Sequence, residues 1–329
     1  MRYGRRSGWV VVVAALAAGG CSQLIDPNVP EPIRPMVEPQ LGRDYLLYRP
    51  SNYDRRSGWP LVVVCHTSIG DSPNKALRDW TILAESRGFL VAAPTLASSA
   101  ELLPPKVEKE LPLLDEDERH ILAVVRHVQG GYSISQDRIF IHGWSGGAYP
   151  ALYVGARHPD VFRAVSLIEP RFDPGYLSPA TKRLDPHQPI WVYYSSGGSL
   201  ARQDARECAA WLREHGGNVY EDPYGPARRT DTDRAVDFYE VVIRTAPWVR
   251  IGAYSPSTDK PLEVQFKLRC SFAPQRVHWE FGDGATSNVL EPVHVYGVAG
   301  GYDVTVTVDM ADAEAERRTT RVFVPVETR

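Results

Sequence analysis

The sequence predicts two folded domains: an α/β domain with a doubly wound, mostly parallel sheet, followed by a smaller all-β sandwich. Between residues 44 and 247, buried apolar runs of strand length alternate with stretches of helical periodicity. This alternation is typical of a parallel sheet covered by helices. From residue 248 onward, apolar and polar residues alternate with a period of two, as in strands that bury one face. The 329 residues are enough for two such domains.

The composition excludes several classes of protein. Hydrophobic residues make up 43% and charged residues 23% of the chain, as in ordinary globular proteins, and the formal net charge is −3. No basic stripe stands out, so we expect no nucleic-acid partner. Cys21, Cys65, Cys208 and Cys270 show neither a CxxC motif nor another metal-ligand spacing, and no cofactor or metal site is expected. Nothing in the sequence favours a particular oligomeric state.

The first 20 residues are predicted to be a lipoprotein signal peptide. Three arginines among the first six residues precede an apolar stretch over residues 9–18, which is shorter than the about 20 residues that cross a bilayer. Ala-Gly-Gly before Cys21 resembles a bacterial lipobox, in which the cysteine is lipidated and becomes the mature N-terminus. The alternative is a secretory peptide cleaved nearby, with an incidental cysteine. We expect Cys21 to anchor the protein in a bacterial cell envelope, facing the periplasm or the exterior.

Residues 21–43 are predicted to form a tether. Five prolines fall within residues 27–39, and proline-rich segments favour extended, semi-rigid conformations. The α/β domain is therefore predicted to span residues 44–247.

Within that domain, apolar runs and amphipathic periods predict the following elements. The run at residues 60–65 is continuously apolar, as expected for a strand buried on both sheet faces. Acidic residues early in the helix predicted at residues 115–129 complement its dipole. The predicted strands are residues 45–48, 60–65, 88–94, 138–143, 162–168 and 190–194, and the predicted helices are residues 74–87, 115–129, 146–158, 205–215 and 234–243.

The segment around Ser145 carries the strongest functional signal. An apolar strand ends at Gly143, a Gly-Trp-Ser-Gly-Gly motif follows, and helical periodicity then reaches about His158. A serine between glycines on a sharp strand-to-helix turn is the nucleophile elbow of the α/β-hydrolase fold, in which a strained backbone keeps the hydroxyl exposed. Ser145 is therefore interpreted as a functional or formerly functional nucleophile; the alternative is a structural Gly-Ser turn.

Residues 60–66, residues 88–94 and the elbow with residues 157–162 together resemble the polyhydroxybutyrate-depolymerase and feruloyl-esterase branch of α/β-hydrolases. The resemblance covers about residues 44–246. It implies an esterase-like domain whose oxyanion hole uses the backbone N–H groups of Gly146 and Thr67. The branch usually has glycine where this chain has Thr67.

The acid expected to assist Ser145 is missing from its usual place. Residues 195–199, which follow a predicted strand, contain no carboxylate. Asp204 is interpreted as the cap of the helix that begins at residue 205. Glu169, at the end of the preceding strand, is the best substitute acid; the alternative is a solvated loop carboxylate.

The expected histidine is also missing. The loop over residues 223–231 has none, and no histidine occurs between His215 and His278. His66 is interpreted as a residue that organises its loop rather than as a base. Without an imidazole, a serine hydroxyl is a weak nucleophile at neutral pH.

The C-terminal segment, residues 248–329, resembles a PKD domain, an Ig-like sandwich. The resemblance is carried by the segment from Trp279 to residue 287 and by residues 292–296 and 301–306. Trp279 is predicted to anchor the core and Tyr296 to cap the sandwich, and Gly-Asp-Gly at residues 282–284 is predicted to be a tight turn rather than a calcium loop. Such domains are often appended to secreted enzymes that act on polymers, as spacers or weak binding modules.

We therefore expect a cell-envelope lipoprotein whose esterase-like domain is catalytically impaired. It is expected to act as a surface module that binds a polymer, such as a polysaccharide or a polyester, or another partner. The alternative is an active serine carboxylic ester hydrolase with a rebuilt triad. The missing histidine favours the first hypothesis, and the intact elbow at Ser145 favours the second.

Overall fold

A computed structural model provides the structure of the chain. It describes residues 33–66, 72–98, 107–177, 184–194, 200–222, 231–245, 248–270, 273–309 and 316–325. The predicted signal peptide and Cys21 lie outside the described residues. No helix in the described part of the chain is both long and apolar enough to cross a bilayer.

The first domain is built on an eight-stranded sheet with the strand order β1-β2-β4-β3-β5-β6-β7-β8. The six strands from β4 to β8 in this order are parallel to one another. At one edge, β2 pairs antiparallel with β4 and β1 pairs antiparallel with β2. The mostly parallel sheet predicted from the sequence is thus confirmed. The strands are β1 (Arg34–Val37), β2 (Asp44–Tyr48), β3 (Trp59–Cys65), β4 (Leu90–Pro94), β5 (Ile134–Trp144), β6 (Ala164–Ile168), β7 (Pro189–Tyr193) and β8 (Asn218–Asp222).

Helices cover both faces of this sheet. The helices are α1 (Pro73–Arg87), α2 (Val107–Gly131), α3 (Ala148–Arg157), α4 (Pro174–Leu177), α5 (Leu200–Glu214) and α6 (Thr232–Thr245). One face packs against apolar side chains of α2, α3, α4 and α5, and the other against those of α1 and α6. Every residue of β4, β6 and β7 is buried, which explains why these strands appear in the sequence as continuous apolar runs.

The ends of α1 illustrate how local sequence fixes an element. The Ser72 side chain accepts a hydrogen bond from the Lys75 backbone N–H at 3.2 Å, and Pro73 occupies the first helical position, where its missing N–H costs nothing. Gly88 ends the helix with φ 75°, a left-handed conformation that glycine adopts without steric cost. The chain therefore enters β4 two residues after the helix.

Strand β1 corrects the prediction that residues 21–43 form only a tether. Residues 34–37 pair antiparallel with β2 at the sheet edge, with Pro35 opposite Leu46. Proline is compatible with an edge strand because its missing N–H need not join the ladder on the solvent side. The buried carboxylate of Glu38 accepts the backbone N–H groups of Gln40 and Leu41, which shapes the turn between the two strands.

The second domain is an antiparallel sandwich of two sheets with the orders β13-β10-β9 and β12-β11-β14-β15. Trp279 and Tyr296 are both buried in its core, as predicted. Gly282 and Gly284 have φ values of 82° and 92°, which explains the glycines of the predicted tight turn. The strands are β9 (Val249–Tyr254), β10 (Glu263–Cys270), β11 (Arg276–Glu280), β12 (Thr286–Ser287), β13 (Val293–Val295), β14 (Gly300–Asp309) and β15 (Glu316–Val324).

Two arginines of the second domain contact the first. Arg250 donates to the Val161 carbonyl at 3.3 Å, and Arg269 donates to the Gln136 side chain at 2.9 Å. Burial lowers the pKa of Arg250 to about 10, although nearby carboxylates oppose the shift. A guanidinium remains charged at neutral pH under these conditions, so Arg250 is a half-buried cation at the contact between the domains.

Candidate active site at the carboxyl edge of the sheet

Ser145 lies on a strained turn between β5 and α3. Its φ is 51°, in the left-handed region, and a single turn of 3-10 helix over Ser145–Gly147 leads into α3. Among the described residues, Ser145 and Glu169 are the two non-glycine residues with positive φ. Such backbone strain costs free energy and persists where the surrounding structure enforces it, often at functional sites. The geometry is that of a nucleophile elbow.

Two glycines allow the close packing around this turn. A Cβ atom on Gly143 would lie 2.3 Å from the Gly147 carbonyl oxygen, and one on Gly147 would lie 2.3 Å from the Cys65 carbonyl oxygen. Both distances are shorter than real Cβ contacts, so only glycine fits at either position. The elbow is thereby held directly against the end of β3.

The Ser145 hydroxyl has no hydrogen-bond partner among the residues that the structure describes. Its backbone carbonyl accepts the Arg171 N–H at 3.4 Å, and the side chain is half-buried. Thr67, residues 195–199 and residues 223–230 lie outside the described part of the chain. The predicted oxyanion role of Thr67 therefore remains a prediction. Gly146 lies in the turn of the elbow, and its oxyanion role likewise remains a prediction.

All nine histidines of the chain lie in described residues, and none hydrogen-bonds to the Ser145 hydroxyl. Eight of the rings hydrogen-bond to groups of other described residues. Their partners are the Leu96 N–H for His66, the Asp44 carbonyl for His120, the Tyr45 hydroxyl for His127, the Ser166 hydroxyl for His142, Glu118 for His158, the Trp211 carbonyl for His215, Asn288 for His278 and Asp283 for His294.

The backbone of His66 packs against the elbow, because its carbonyl carbon would lie 3.2 Å from a Cβ on Gly147. Its Nε2 atom accepts the Leu96 backbone N–H at 3.1 Å. The lone pair that a general base would use is therefore already engaged. This contact agrees with the interpretation of His66 as a residue that organises its loop.

His142 belongs to a buried polar network behind the elbow. Its Nδ1 atom lies 2.7 Å from the Ser166 hydroxyl, which in turn contacts the Tyr239 hydroxyl. The Tyr239 hydroxyl also donates to the Ile141 carbonyl at 3.3 Å. Burial lowers the pKa of His142 to about 3, so the ring is neutral at physiological pH. The network links β5, β6 and α6 and leaves His142 unavailable to the surface.

Glu169 lies beside Ser145 at the ends of adjacent strands. Trp144 pairs with Ile168 across β5 and β6, and Ser145 and Glu169 directly follow these two residues. The Glu169 backbone N–H donates to the Tyr193 carbonyl at 2.7 Å, and its half-buried carboxylate has no partner among the described residues. The structure thus brings together the predicted nucleophile and the predicted substitute acid.

Asp204 does not cap a helix, which corrects the sequence-based interpretation. Helix α5 already begins at Leu200, and Asp204 lies within it and pairs with Arg171, with Nε and Oδ2 2.8 Å apart. Burial raises the pKa of Asp204, although Arg171 and the Phe172 N–H oppose the shift. Sequence reasoning missed Arg171, whose only signal was its position two residues after Glu169, past the end of β6.

The carboxyl edge of the sheet therefore carries a strained serine, a carboxylate and an arginine–aspartate pair. No group of three or more His, Cys, Asp or Glu side chains is arranged to hold a metal ion in the described part of the molecule. The arrangement can place an ester carbonyl against Ser145 and the Gly146 N–H, but no described residue hydrogen-bonds to the Ser145 hydroxyl as a general base would.

Comparisons with known proteins agree with this architecture. Residues 244–324 match the PKD domain family, and residues 114–187, which include the elbow, match the prolyl oligopeptidase family. No curated protein matches the sequence.

Among solved structures, the chain is similar to a protein described as a dipeptidyl aminopeptidase IV from Bacteroides ovatus, with 16% identity and a TM-score of 0.50 over 65% of this chain and 36% of that one. Dipeptidyl peptidase 4 from Porphyromonas gingivalis gives 14% identity and a TM-score of 0.50 over 65% and 35% of the two chains. A ferulic acid esterase from Anaeromyces mucronatus gives 14% identity and a TM-score of 0.48 over 65% and 89%.

The chain spans about a third of the length of the two peptidases. At these identities the likeness concerns the fold. Together with the sheet order and the strained elbow, the likeness to the two peptidases assigns the α/β-hydrolase fold to the first domain. The chain thus has an α/β-hydrolase fold in its first domain, followed by a C-terminal all-β region that matches the PKD domain family.

Proposed function

We propose that the protein is a cell-envelope lipoprotein whose α/β-hydrolase domain is catalytically impaired and binds a polymer or partner instead of turning it over. One observation carries the proposal: all nine histidines lie in described residues, and none contacts the Ser145 hydroxyl. The loop in which the base would be expected, residues 223–231, contains no histidine in the sequence.

The chemistry of serine explains why this observation matters. A serine hydroxyl is almost entirely protonated at neutral pH and attacks esters slowly unless a neighbouring base removes its proton. A positioned general base typically contributes a factor of about 10²–10⁴. Glu169 lies beside Ser145 but carries no contact to its hydroxyl. The elbow by itself offers only the Gly146 N–H and a binding surface.

A binding role is supported by what surrounds the elbow. The carboxyl edge of the sheet carries polar groups that can contact a ligand, among them the Glu169 carboxylate and the Arg171–Asp204 pair. The PKD domain follows directly and contacts the hydrolase domain through Arg250 and Arg269. Two such surfaces in one chain suit a polysaccharide or polyester, because an extended polymer can engage both at once.

The proposed location rests on the first 21 residues. Their basic start, short apolar stretch and small residues before Cys21 match the order of a lipoprotein signal peptide. Lipid on Cys21 would hold the domains at the envelope surface, facing the periplasm or the exterior. A single acyl chain gives marginal membrane binding, and the further chains of a bacterial lipoprotein make the attachment stable.

The second candidate is an active serine carboxylic ester hydrolase with a rebuilt triad. The backbone strain at Ser145 and Glu169 favours it, because strained conformations are retained mainly where the structure uses them. In this alternative Glu169 would supply the acid or base function.

Ester hydrolysis by purified protein separates the two candidates. Wild-type protein and Ser145→Ala are assayed with p-nitrophenyl acetate, together with Glu169→Gln. We expect all three to hydrolyse the ester at the same slow rate. Rapid hydrolysis by wild type that is lost in Ser145→Ala would contradict the impaired function, and its loss in Glu169→Gln as well would support the rebuilt triad.

Binding is tested by sedimentation with insoluble xylan and with polyhydroxybutyrate granules. We expect the protein to sediment with one of these polymers, and to do so more completely than a fragment of residues 244–324. Equal sedimentation of the fragment would assign binding to the PKD domain and contradict a role of the hydrolase domain. Failure of both to sediment would contradict binding to these polymers.

A further inference from the structure

A cavity of about 380 Å³ lies on the face of the sheet that α1 and α6 cover, well away from Ser145. We call it the α1–α6 cavity. It is lined by residues at the start of β3 and in the middle of β5, by the end of α1 and by one side of α6. Arg138 lies seven residues before Ser145 along β5, which places it roughly 20 Å from the elbow at the usual rise per strand residue. The cavity is thus separate from the candidate active site.

The walls of the α1–α6 cavity are mainly apolar and aromatic. Trp59, Phe89, Phe140 and Tyr239 provide rings, and Val236 and Ile243 complete the aliphatic side. The Phe140 and Tyr239 rings are stacked with their centroids 4.3 Å apart, which gives this wall a fixed shape. Cavities of a few hundred Å³ with such walls are typical of small-molecule sites.

The positive charge of Arg138 in this cavity has no carboxylate partner among the described residues. Arg87 and Glu240, which both line it, pair with each other at 2.7 Å. The Arg138 guanidinium also lines the cavity and has neither a hydrogen bond nor an ion pair with any described residue, and its Nε atom is buried. A buried donor without a partner costs free energy, so the site favours a ligand that supplies an acceptor.

We propose that the α1–α6 cavity binds an amphipathic monoanion, a carboxylate attached to an aromatic ring or a short apolar chain. The carboxylate accepts hydrogen bonds from Arg138, for which the planar guanidinium provides two parallel donors. The apolar part lies against the Trp59, Phe89 and Phe140 rings. Charge complementarity selects the anion, and the cavity volume limits it to a ligand of small-molecule size.

Isothermal titration calorimetry of the full chain with phenylbutyrate tests this proposal, and phenylbutanol serves as the matched neutral probe. We expect one phenylbutyrate per chain and phenylbutanol binding at least tenfold weaker. Arg138→Gln is expected to weaken phenylbutyrate binding roughly tenfold to a hundredfold, the range for losing one charged hydrogen bond. Arg119→Gln, on the exposed side of α2, is expected to leave binding unchanged.

A second variant guards against loss of folding in Arg138→Gln. Val236→Phe replaces an isopropyl group with a larger aromatic ring that fills part of the cavity. It is expected to abolish phenylbutyrate binding while the melting temperature stays close to that of wild type. Ser145→Ala is expected to bind phenylbutyrate as wild type does, so this experiment is independent of the proposed function. Absence of phenylbutyrate binding, equal binding of phenylbutanol, or binding that survives both Arg138→Gln and Val236→Phe would overturn the proposal.

Discussion

Gly143→Ala is the most informative test of the packing that creates the elbow. The new Cβ atom would lie 2.3 Å from the Gly147 carbonyl oxygen and 2.7 Å from the Ala148 Cα atom. Real Cβ atoms essentially never approach closer than 3.0 Å, so the turn must open by about 0.7 Å, the difference between 3.0 Å and 2.3 Å. The strand cannot move away easily, because β5 is hydrogen-bonded to β3 on one side and to β6 on the other.

The expected cost follows from this geometry. Forcing extra atoms into a packed interior destabilises proteins by about 1–3 kcal/mol, and a clash with backbone lies at the upper end. For a domain of this size, each kcal/mol lowers the melting temperature by about 2–4 °C, so we expect a decrease of about 2–12 °C. Gly130→Ala is the matched control, because a Cβ at Gly130 in α2 meets nothing within 4 Å.

Both variants are compared with wild type by thermal unfolding monitored with circular dichroism. Gly130→Ala is expected to keep or raise the melting temperature, since alanine in a helix is favoured over glycine by about 0.5–1 kcal/mol. An unchanged melting temperature for Gly143→Ala would refute the close approach between strand and helix at the elbow.

Two further predictions concern other parts of the chain. Burial would raise the pKa of Glu118, but hydrogen bonds and charges from His158 and Arg157 outweigh it and lower the pKa below its usual 4.5; a carboxylate of this kind stabilises the fold above pH 4.5 and loses that contribution as the pH falls further. Glu118→Gln should therefore lower the free energy of unfolding at pH 7 by about 1–3 kcal/mol, and with it the melting temperature. The difference in melting temperature from wild type should be smaller below pH 4.5, and a difference that does not change with pH would contradict this. Cys21→Ala should yield a protein without lipid that leaves the membrane fraction, as judged by fractionation and mass spectrometry; acylated, membrane-bound Cys21→Ala protein would disprove the anchor.

Much of the fold was predictable because burial leaves a direct trace in the sequence. The strands now seen as β3, β4, β6 and β7 are short apolar runs buried on both faces, and each was predicted to within two residues. Strand β1 was missed because Pro35 and the prolines around it also fit a tether, and only pairing with β2 distinguishes a strand from a tether. Helix α2 begins eight residues earlier than predicted and contains Pro112, which would ordinarily end a helix. Burial of Leu114 against the core offsets that local preference.

The candidate site was predictable only in part. The elbow combines adjacent residues, so the strand, the glycines and Ser145 could be recognised together. The proximity of Glu169 to Ser145 followed from its position at a strand end, since parallel strands finish at one edge of the sheet. The Arg171–Asp204 pair joins residues from different elements, and neither residue's neighbours in sequence indicate the contact. Arg138, which has no ion pair with any described residue, lines a cavity formed by β3, β5, α1 and α6, so its position there could not be found without the structure.

The reactivity of Ser145 toward diisopropyl fluorophosphate tests the central claim most directly, because phosphorylation of the hydroxyl requires an activated serine but no specific substrate. Wild-type protein and Ser145→Ala are incubated with the reagent and their intact masses compared over several hours. The absence of an imidazole contact to Ser145 predicts no adduct on either protein. Stoichiometric, rapid modification of wild type that is absent from Ser145→Ala would contradict the account and establish Ser145 as an active nucleophile.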